Sequence, residues 1–348
     1  MAEFNIGNRK VGGNNPALVI AEVAQAHDGS VNFAHAFVDA AAAAGADAIK
    51  FQTHIAAAES SPAEQWRVQF SKQDATRFDY WKRMEFTKEQ WRELKEHAEQ
   101  KGLLFLSSPF SLEAIELLSE IGIRVWKIAS GEVRNEVLLE RLLQTKLPVL
   151  LSSGMSTWSE LEATVARLKS AAIPFQLMQC TSAYPCPPER VGLNLLTEMK
   201  TRFGCDVGLS DHSGTIWPAL AAVTLGAKTI EVHVTWDKTM FGPDTIASVT
   251  FAELKQMIDG IRFTEKMLAH PVDKEAEAAG MDRMRKMFGQ SLVATANLTA
   301  GTVLRTEHIA TRKPLAGIPA SEFSSVLGAK VRRNITAGEF LQSADIEK

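Results

Sequence analysis

From residue 17 to about 268 the chain alternates short apolar runs with amphipathic segments, as strand–helix barrels do. The runs fall at 18–22, 48–52, 103–107, 125–129, 148–152, 175–179, 207–209 and 230–233. Unbroken apolar runs of this length read as strands buried on both faces, which is the habit of parallel sheets. Helical spacing fills the intervals, notably at 32–44, 87–101, 111–121, 157–171 and 251–267. Eight strand–helix units over about 250 residues match the count and size of a (β/α)8 barrel, an α/β fold. A doubly wound open sheet is the competitor. It gives no reason for polar residues at every strand exit, whereas barrel sites form where the strands end.

Those exits carry three kinds of chemistry. His212 and His233 follow the last two runs, so the parallel arrangement turns both imidazoles toward one cavity, as a divalent metal site requires. An ion held by only two imidazoles keeps positions open for water and a substrate carbonyl. Lys50 and Lys127 stand among small hydroxyl residues, Ser108, Ser130, Ser152, Ser182 and Ser210, and together these read as a phosphate cradle. A lysine at a strand end also suits a Schiff base or a buried ion pair. The third sector is acidic: Glu22, Glu132, Glu231 and Asp244. Paired carboxylates position sugar hydroxyls or move protons, and Glu22 and Asp244 are expected to face the cavity most openly.

The rest of the chain divides around this barrel. Domain bounds of 1–270 for the barrel, 271–287 for a charged linker and 288–348 for a small β-rich module are expected. The module contains an echo: Asn297-Leu298-Thr299-Ala300-Gly301 returns as Asn334-Ile335-Thr336-Ala337-Gly338. Both Asn-x-Thr triplets read as turns. The module is either an accessory stability domain or a cap over a site. Residues 54–86 have no persistent period and carry scattered aromatics, so a lid over the barrel mouth is expected there.

Composition narrows the function classes. Apolar residues are 45% of the 348 and charged ones 23%, so a large core forms and disorder is not expected. A net charge of −3 gives no electrostatic case for nucleic acid or an acidic membrane. The N-terminus has no apolar signal region, and no uncharged stretch reaches membrane-spanning length. Cys180, Cys186 and Cys205 form no disulfide framework, so a reducing, cytoplasmic setting is the economical reading.

Taken together, the motifs Ile20-Ala21-Glu22, His27-Asp28-Gly29-Ser30, Lys50-Phe51-Gln52-Thr53-His54, Lys127-Ile128-Ala129-Ser130-Gly131-Glu132, Tyr184-Pro185, Ser210-Asp211-His212 and Gly242-Pro243-Asp244 make the chain similar to the sialic acid synthase family. The terminal module resembles that family's antifreeze-like SAF domain. The resemblance implies a barrel capped by the SAF domain of a partner in a swapped homodimer. It implies condensation of phosphoenolpyruvate with an N-acyl hexosamine, N-acetylmannosamine by default, to a nonulosonic acid and phosphate. A 2,4-diacetamido-trideoxyhexose giving legionaminic- or pseudaminic-type acids is the alternative. By position, His212 and His233 would bind the metal, Mn2+ before Mg2+ or Co2+. Lys50, Ser108, Lys127, Ser130, Ser152, Ser182 and Ser210 would hold phosphoenolpyruvate. Glu22, Gln52, Tyr184, Asp244, Arg312 and Lys313 would hold the sugar, and Glu22, Glu132, Lys50 and Lys127 would be catalytic.

Four places depart from the family pattern: Ala26 where Asn is common, Gln179 where His is frequent, Lys313-Pro314-Leu315 where Arg-Pro-Gly is usual, and the segment between His54 and Phe86, which does not align cleanly. All four are expected around the sugar. Rival readings are a metal-dependent aldolase using pyruvate, a Schiff-base enzyme, and a non-catalytic barrel carrying a carbohydrate- or ice-binding module.

Overall fold

A computed structural model describes residues 3–347, and the chain divides into two compact units, Met1–Ala269 and His270–Lys348. The first opens with a hairpin, β1 (Phe4–Ile6) and β2 (Arg9–Val11), antiparallel across a Gly7-Asn8 turn. Eight strands follow: β3 (Leu18–Ala24), β4 (Ala48–Thr53), β5 (Leu104–Pro109), β6 (Trp126–Ile128), β7 (Val149–Ser152), β8 (Phe175–Cys180), β9 (Val207–Asp211) and β10 (Thr229–Thr235). They are all parallel, in the order β5-β4-β3-β10-β9-β8-β7-β6. β5 and β6, at the two ends of that order, lie beside each other, so the ring is a nearly closed (β/α)8 barrel. A short β11 (Val249–Thr250) extends the outer end of β10. Each of the eight apolar runs became one of these strands.

Both faces of the strands are buried, which is why the runs are continuous rather than alternating. Outward-facing Val19, Ala21 and Val23 pack with Phe37, Val38 and Ala41 of the helix Val31–Ala44, within the main core. Inward-facing Leu18, Ile20, Ala48, Leu106, Leu150 and Met178 pack with Phe4, Ile6 and Val11. The hairpin therefore closes the end of the barrel opposite the strand exits. Sequence reading gave no hint of it, because three residues per strand are too few to show a period. The helices begin where the chain supplies caps. Thr87, Thr157 and Thr250 each form a reciprocal capping box with Gln90, Glu160 and Glu253, worth about 1 kcal/mol apiece.

The second unit begins with two short helices, Lys274–Gly280 and Asp282–Phe288, where the sequence suggested a linker. Two strand pairs follow, β12 (Ser291–Ala294) with β13 (Ile309–Arg312) and β14 (Lys330–Val331) with β15 (Ile346–Glu347). The echoed sequences are reciprocal partners. Leu298 and Ile335 exchange backbone hydrogen bonds, both 2.8 Å. Asn297 Oδ1 accepts from Ala337 N at 2.8 Å, and Asn334 Oδ1 accepts from Ala300 N at 2.9 Å. Each asparagine is thus consumed by the turn of the other copy. The three cysteines are free and buried, and among the described residues no helix is long and apolar enough to cross a membrane.

Candidate active site

Alternation along each strand sends every second side chain inward, so the barrel interior is stacked in layers. Above the apolar floor comes a charged layer. Lys50 Nζ lies 2.7 Å from Glu22 Oε1 and 3.8 Å from Glu231 Oε1. Lys127 Nζ lies 2.9 Å from the same Glu231 oxygen, to which Ser210 Oγ also donates at 3.0 Å. Gln52 Nε2 donates to Glu22 Oε1 at 2.8 Å. All of these groups but Gln52 are fully buried, so two cations and two anions are held away from water as a neutral set. Strand register produces the arrangement, because Glu22 on β3 is paired with Lys50 on β4 and His233 on β10.

The two carboxylates are not equivalent. Burial raises Glu22 to about 7 against the pull of its one close lysine, with the Glu231 charge adding to the rise. Burial also opposes ionisation of Glu231, but Lys127 and Lys50 outweigh it and hold that group down at about 2. Proton exchange near neutral pH therefore falls to Glu22. Its Oε2, Glu231 Oε2, Ser108 Oγ and Ser152 Oγ are buried with no hydrogen-bond partner in the structure. Unpaired buried polar atoms are costly, and four of them around a lysine pair point to a polar ligand.

His212 and His233 meet beside this layer, their ring centroids 5.2 Å apart, with Tyr184 at 4.2 Å from His212. His212 Nδ1 donates to the Thr181 carbonyl at 2.8 Å, which leaves Nε2 with a free lone pair. Burial is the main cause of both imidazoles lying at about 3, helped by His233 at the first and Lys50 at the second. Neutral imidazole is the ligating form. Among the described residues no cluster of three or more His, Cys, Asp or Glu side chains is arranged for a metal. The donor set fits an ion whose remaining positions go to substrate or water.

Over these layers opens a cavity of about 360 Å3, reached by Gln25, Gln52, Ser130, Ser182, Tyr184, His233 and Asp244. Ser130 Oγ and Ser182 Oγ are 3.2 Å apart. A Cβ on Gly154 would come within 2.7 and 2.8 Å of these two hydroxyls, so that backbone must stay bare. Glu22 is not open to the cavity as its sequence position suggests. It sits beneath the cavity, 1% exposed, because its negative charge is drawn into the lysine layer. Glu132 also stands apart from the lysines. It accepts from Asn135 Nδ2 at 2.8 Å within its own turn, and Glu231 takes the place beside Lys127. Arg312 and Lys313 are exposed in the second unit, with the Lys313 ammonium 5.2 Å over the Phe288 ring. Gln179 is tied between loops, accepting from Ser153 Oγ at 3.2 Å and donating to Val191 O at 3.1 Å.

Residues 54–86 do cover the barrel mouth, with Trp66, Phe70, Tyr80 and Trp81 lining the cavity. Arg67 donates to Asp244 Oδ1 at 2.6 Å and lies 4.3 Å over the Tyr184 ring. Sequence reading missed Arg67 and Gln25, since neither follows a recognisable period. The lid is anchored through Arg83, which is bidentate to Asp74 and donates to Asp28 Oδ1 at 2.7 Å. Gly29 (φ +77°) lies so close to the Arg83 carbonyl that a side chain would collide with it. The His27-Asp28-Gly29-Ser30 motif is therefore a structural clasp. His27 Nδ1 accepts from Gly29 N at 3.1 Å, and Ser30 caps the next helix.

Burial, with His54 nearby, holds His27 at about 3, whereas an unfolded chain titrates near 6.5. The folded state then binds fewer protons, so this contribution is complete above pH 6.5 and is lost as pH falls toward 3. Between pH 8 and pH 5 the loss should be about 2 kcal/mol more than in a His27→Asn variant, which cannot titrate. Urea melts at the two pH values measure it. Identical pH sensitivity in both proteins would contradict the assignment.

Residues 37–273 match the NeuB family and residues 289–347 match the SAF domain. The first match spans more than half of the chain. The chain belongs to the NeuB family. It is 33% identical to the N,N'-diacetyllegionaminic acid synthase of Campylobacter jejuni over 93% of this chain and 98% of that one. It is also 33% identical to the human N-acetylneuraminate-9-phosphate synthase, over 93% of this chain and 90% of that one. Among solved structures, an N-acetylneuraminic acid synthetase from Leptospira borgpetersenii aligns with a TM-score of 0.71 and 34% identity, covering 81% of this chain and 96% of that one. As a NeuB-family protein with a SAF domain, the chain is an enzyme, a carbon–carbon bond-forming transferase.

Proposed function

We propose that the enzyme condenses phosphoenolpyruvate with the open-chain aldehyde of an N-acyl hexosamine to give a nonulosonic acid and phosphate. The observation that carries this reading is the buried Lys50–Glu22–Glu231–Lys127 layer, edged by the unpartnered hydroxyls of Ser108 and Ser152, beneath a sugar-sized cavity. Two ammonium groups and convergent hydroxyls complement a phosphate dianion and its neighbouring carboxylate. Lys50, Lys127, Ser108, Ser130, Ser152 and Ser182 would hold phosphoenolpyruvate, with Ser210 steering Glu231. Gln52, Tyr184 and Asp244 would hold the sugar with Glu22.

His212 and His233 would hold a divalent ion, Mn2+ before Mg2+ or Co2+, and such an ion supplies Lewis acidity to the sugar carbonyl. The residues of the chain do the rest. The two lysines orient phosphoenolpyruvate so that its methylene carbon, using the electron pair of the enol double bond, bonds to the aldehyde carbon while the aldehyde oxygen takes up a proton from solvent and becomes a hydroxyl. Water adds at the former C2, and Glu22, near its own midpoint at neutral pH, takes the proton at its unpartnered Oε2. The C2–O bond then breaks, and Lys50 and Lys127 stabilise the departing phosphate. The lid excludes bulk water while both reactants are held in place, an advantage on the order of 7–11 kcal/mol when alignment is complete.

The test is phosphate release from phosphoenolpyruvate with Mn2+ and either N-acetylmannosamine or a 2,4-diacetamido-2,4,6-trideoxyhexose. In 18O water the label should enter the sugar acid and not the phosphate. Turnover of pyruvate instead, without phosphate release, would establish the aldolase route and discard this one.

A further inference from the structure

We infer that Gln25 is a further substrate-binding residue, offering its side-chain carbonyl to a hydroxyl or N–H of the sugar, and that His54 with Glu59 is the positioning dyad that sets which way this amide faces. The inference rests on the functional reading above and adds residues to its site. It starts from a chain of hydrogen bonds with a carboxylate at each end. At one end Gln52 Nε2 donates to Glu22 Oε1 at 2.8 Å, so the Gln52 carbonyl must face away from that carboxylate. Gln25 Nε2 donates to this carbonyl at 2.6 Å. At the other end His54 Nδ1 lies 2.6 Å from Glu59 Oε1, and an acceptor there fixes the imidazole proton on Nδ1. His54 Nε2 therefore carries a lone pair, which accepts the second N–H of Gln25 at 2.8 Å.

Both amide protons of Gln25 are thus consumed within the protein. Reversing the amide would set its oxygen against the Gln52 carbonyl and the His54 lone pair, so one orientation is selected. The oxygen left over, Gln25 Oε1, makes no hydrogen bond among the described residues, yet the side chain is only 6% exposed and lines the cavity with Gln52, His233 and Asp244. A largely buried acceptor without a donor is costly, and a polar ligand in the cavity would supply one. The dyad is held firmly. The His54 ring is stacked between Trp81, at 3.9 Å and 20°, and Phe110, at 4.5 Å and 10°, so it cannot turn to exchange its nitrogens. Glu59 and Trp81 both belong to the segment that covers the barrel mouth, so the lid that shields the site also orients Gln25.

The full-length enzyme is assayed for phosphate release with Mn2+, varying N-acetylmannosamine or a 2,4-diacetamido-2,4,6-trideoxyhexose at saturating phosphoenolpyruvate, and then the reverse. Gln25→Met keeps the length of the side chain and removes the amide. It should raise the KM for the sugar about tenfold and that for phosphoenolpyruvate less than about twofold. His54→Phe keeps a ring between Trp81 and Phe110 but loses both nitrogens, and should give the same split. The double variant should be no worse than Gln25→Met alone, because His54 acts through Gln25. His54→Gln, whose Oε1 can accept from the same amide, should bring the sugar KM back to within about threefold of the parent. Should Gln25→Met fail to fold, the contrast between His54→Phe and His54→Gln decides alone. An unchanged sugar KM in the single variants, a phosphoenolpyruvate KM that rises in step with it, or losses that multiply in the double variant overturn the inference and leave the functional reading standing. No turnover of either sugar by the unsubstituted enzyme overturns the functional reading, and the inference with it.

Discussion

Replacing Lys50 with Met should abolish phosphate release and lower stability by about 3–5 kcal/mol, the cost of stranding a buried charge. Among the described residues Lys50 is the only cation within ion-pair distance of Glu22, and it also sits 3.8 Å from Glu231. Without it Glu22 retains only the amide of Gln52, at 1% exposure, whereas Glu231 still has Lys127. The double variant Lys50→Met, Glu22→Gln removes both charges together and should recover most of the lost stability, since a buried pair contributes little net energy over neutral groups. It should remain inactive. Urea melts and phosphate release, measured on the single and double variants, separate the structural from the chemical role. A single variant that melts within 1 kcal/mol of the parent on such a scale would mean that the charges are not confined as described.

Chelation of divalent ions should stop turnover, with Mn2+ restoring it, and His233→Ala should lower kcat by on the order of 1,000-fold, equivalent to about 4 kcal/mol of transition-state stabilisation. His212 is fixed by its Nδ1 hydrogen bond to Thr181 O and offers Nε2, and the facing His233 ring is 5.2 Å away. Both are held neutral by burial, so neither contributes a charge of its own. Thermal melting with and without Mn2+ supplies a second readout, since an ion that binds only the folded state raises the melting temperature. That rise should vanish in His233→Ala. Undiminished phosphate release in excess chelator would exclude the two-imidazole site.

Much of this architecture was legible because a parallel barrel buries both faces of its strands, so each strand is written as an apolar run. The polar residues that interrupt each run at its end, Lys50, Lys127, Ser152, His212 and His233 among them, mark the layers where side chains converge. The echo of Asn297 in Asn334 likewise announced a pseudosymmetric module whose copies cap one another. What could not be read were distances between residues far apart in the chain. Glu22 looked open and proved buried, because a lysine from the adjacent strand draws it in. Glu132 is bonded to Asn135 within its own turn, while Glu231 lies beside Lys127, a pairing no local pattern reveals.

The lid shows the same division. Its length and lack of period marked residues 54–86 as unusual, but Arg67 could be matched with Asp244 only once the loops were placed together. The eightfold strand–helix alternation, the terminal module and the chemical types at the strand exits are written in the chain, since periodicity and residue type are local properties. Which carboxylate meets which lysine, which histidine nitrogen is free and which aromatics roof the cavity emerge only when the chain is folded. Those depend on strand register and loop packing, where a displacement of one residue turns a side chain from the interior to the outer face.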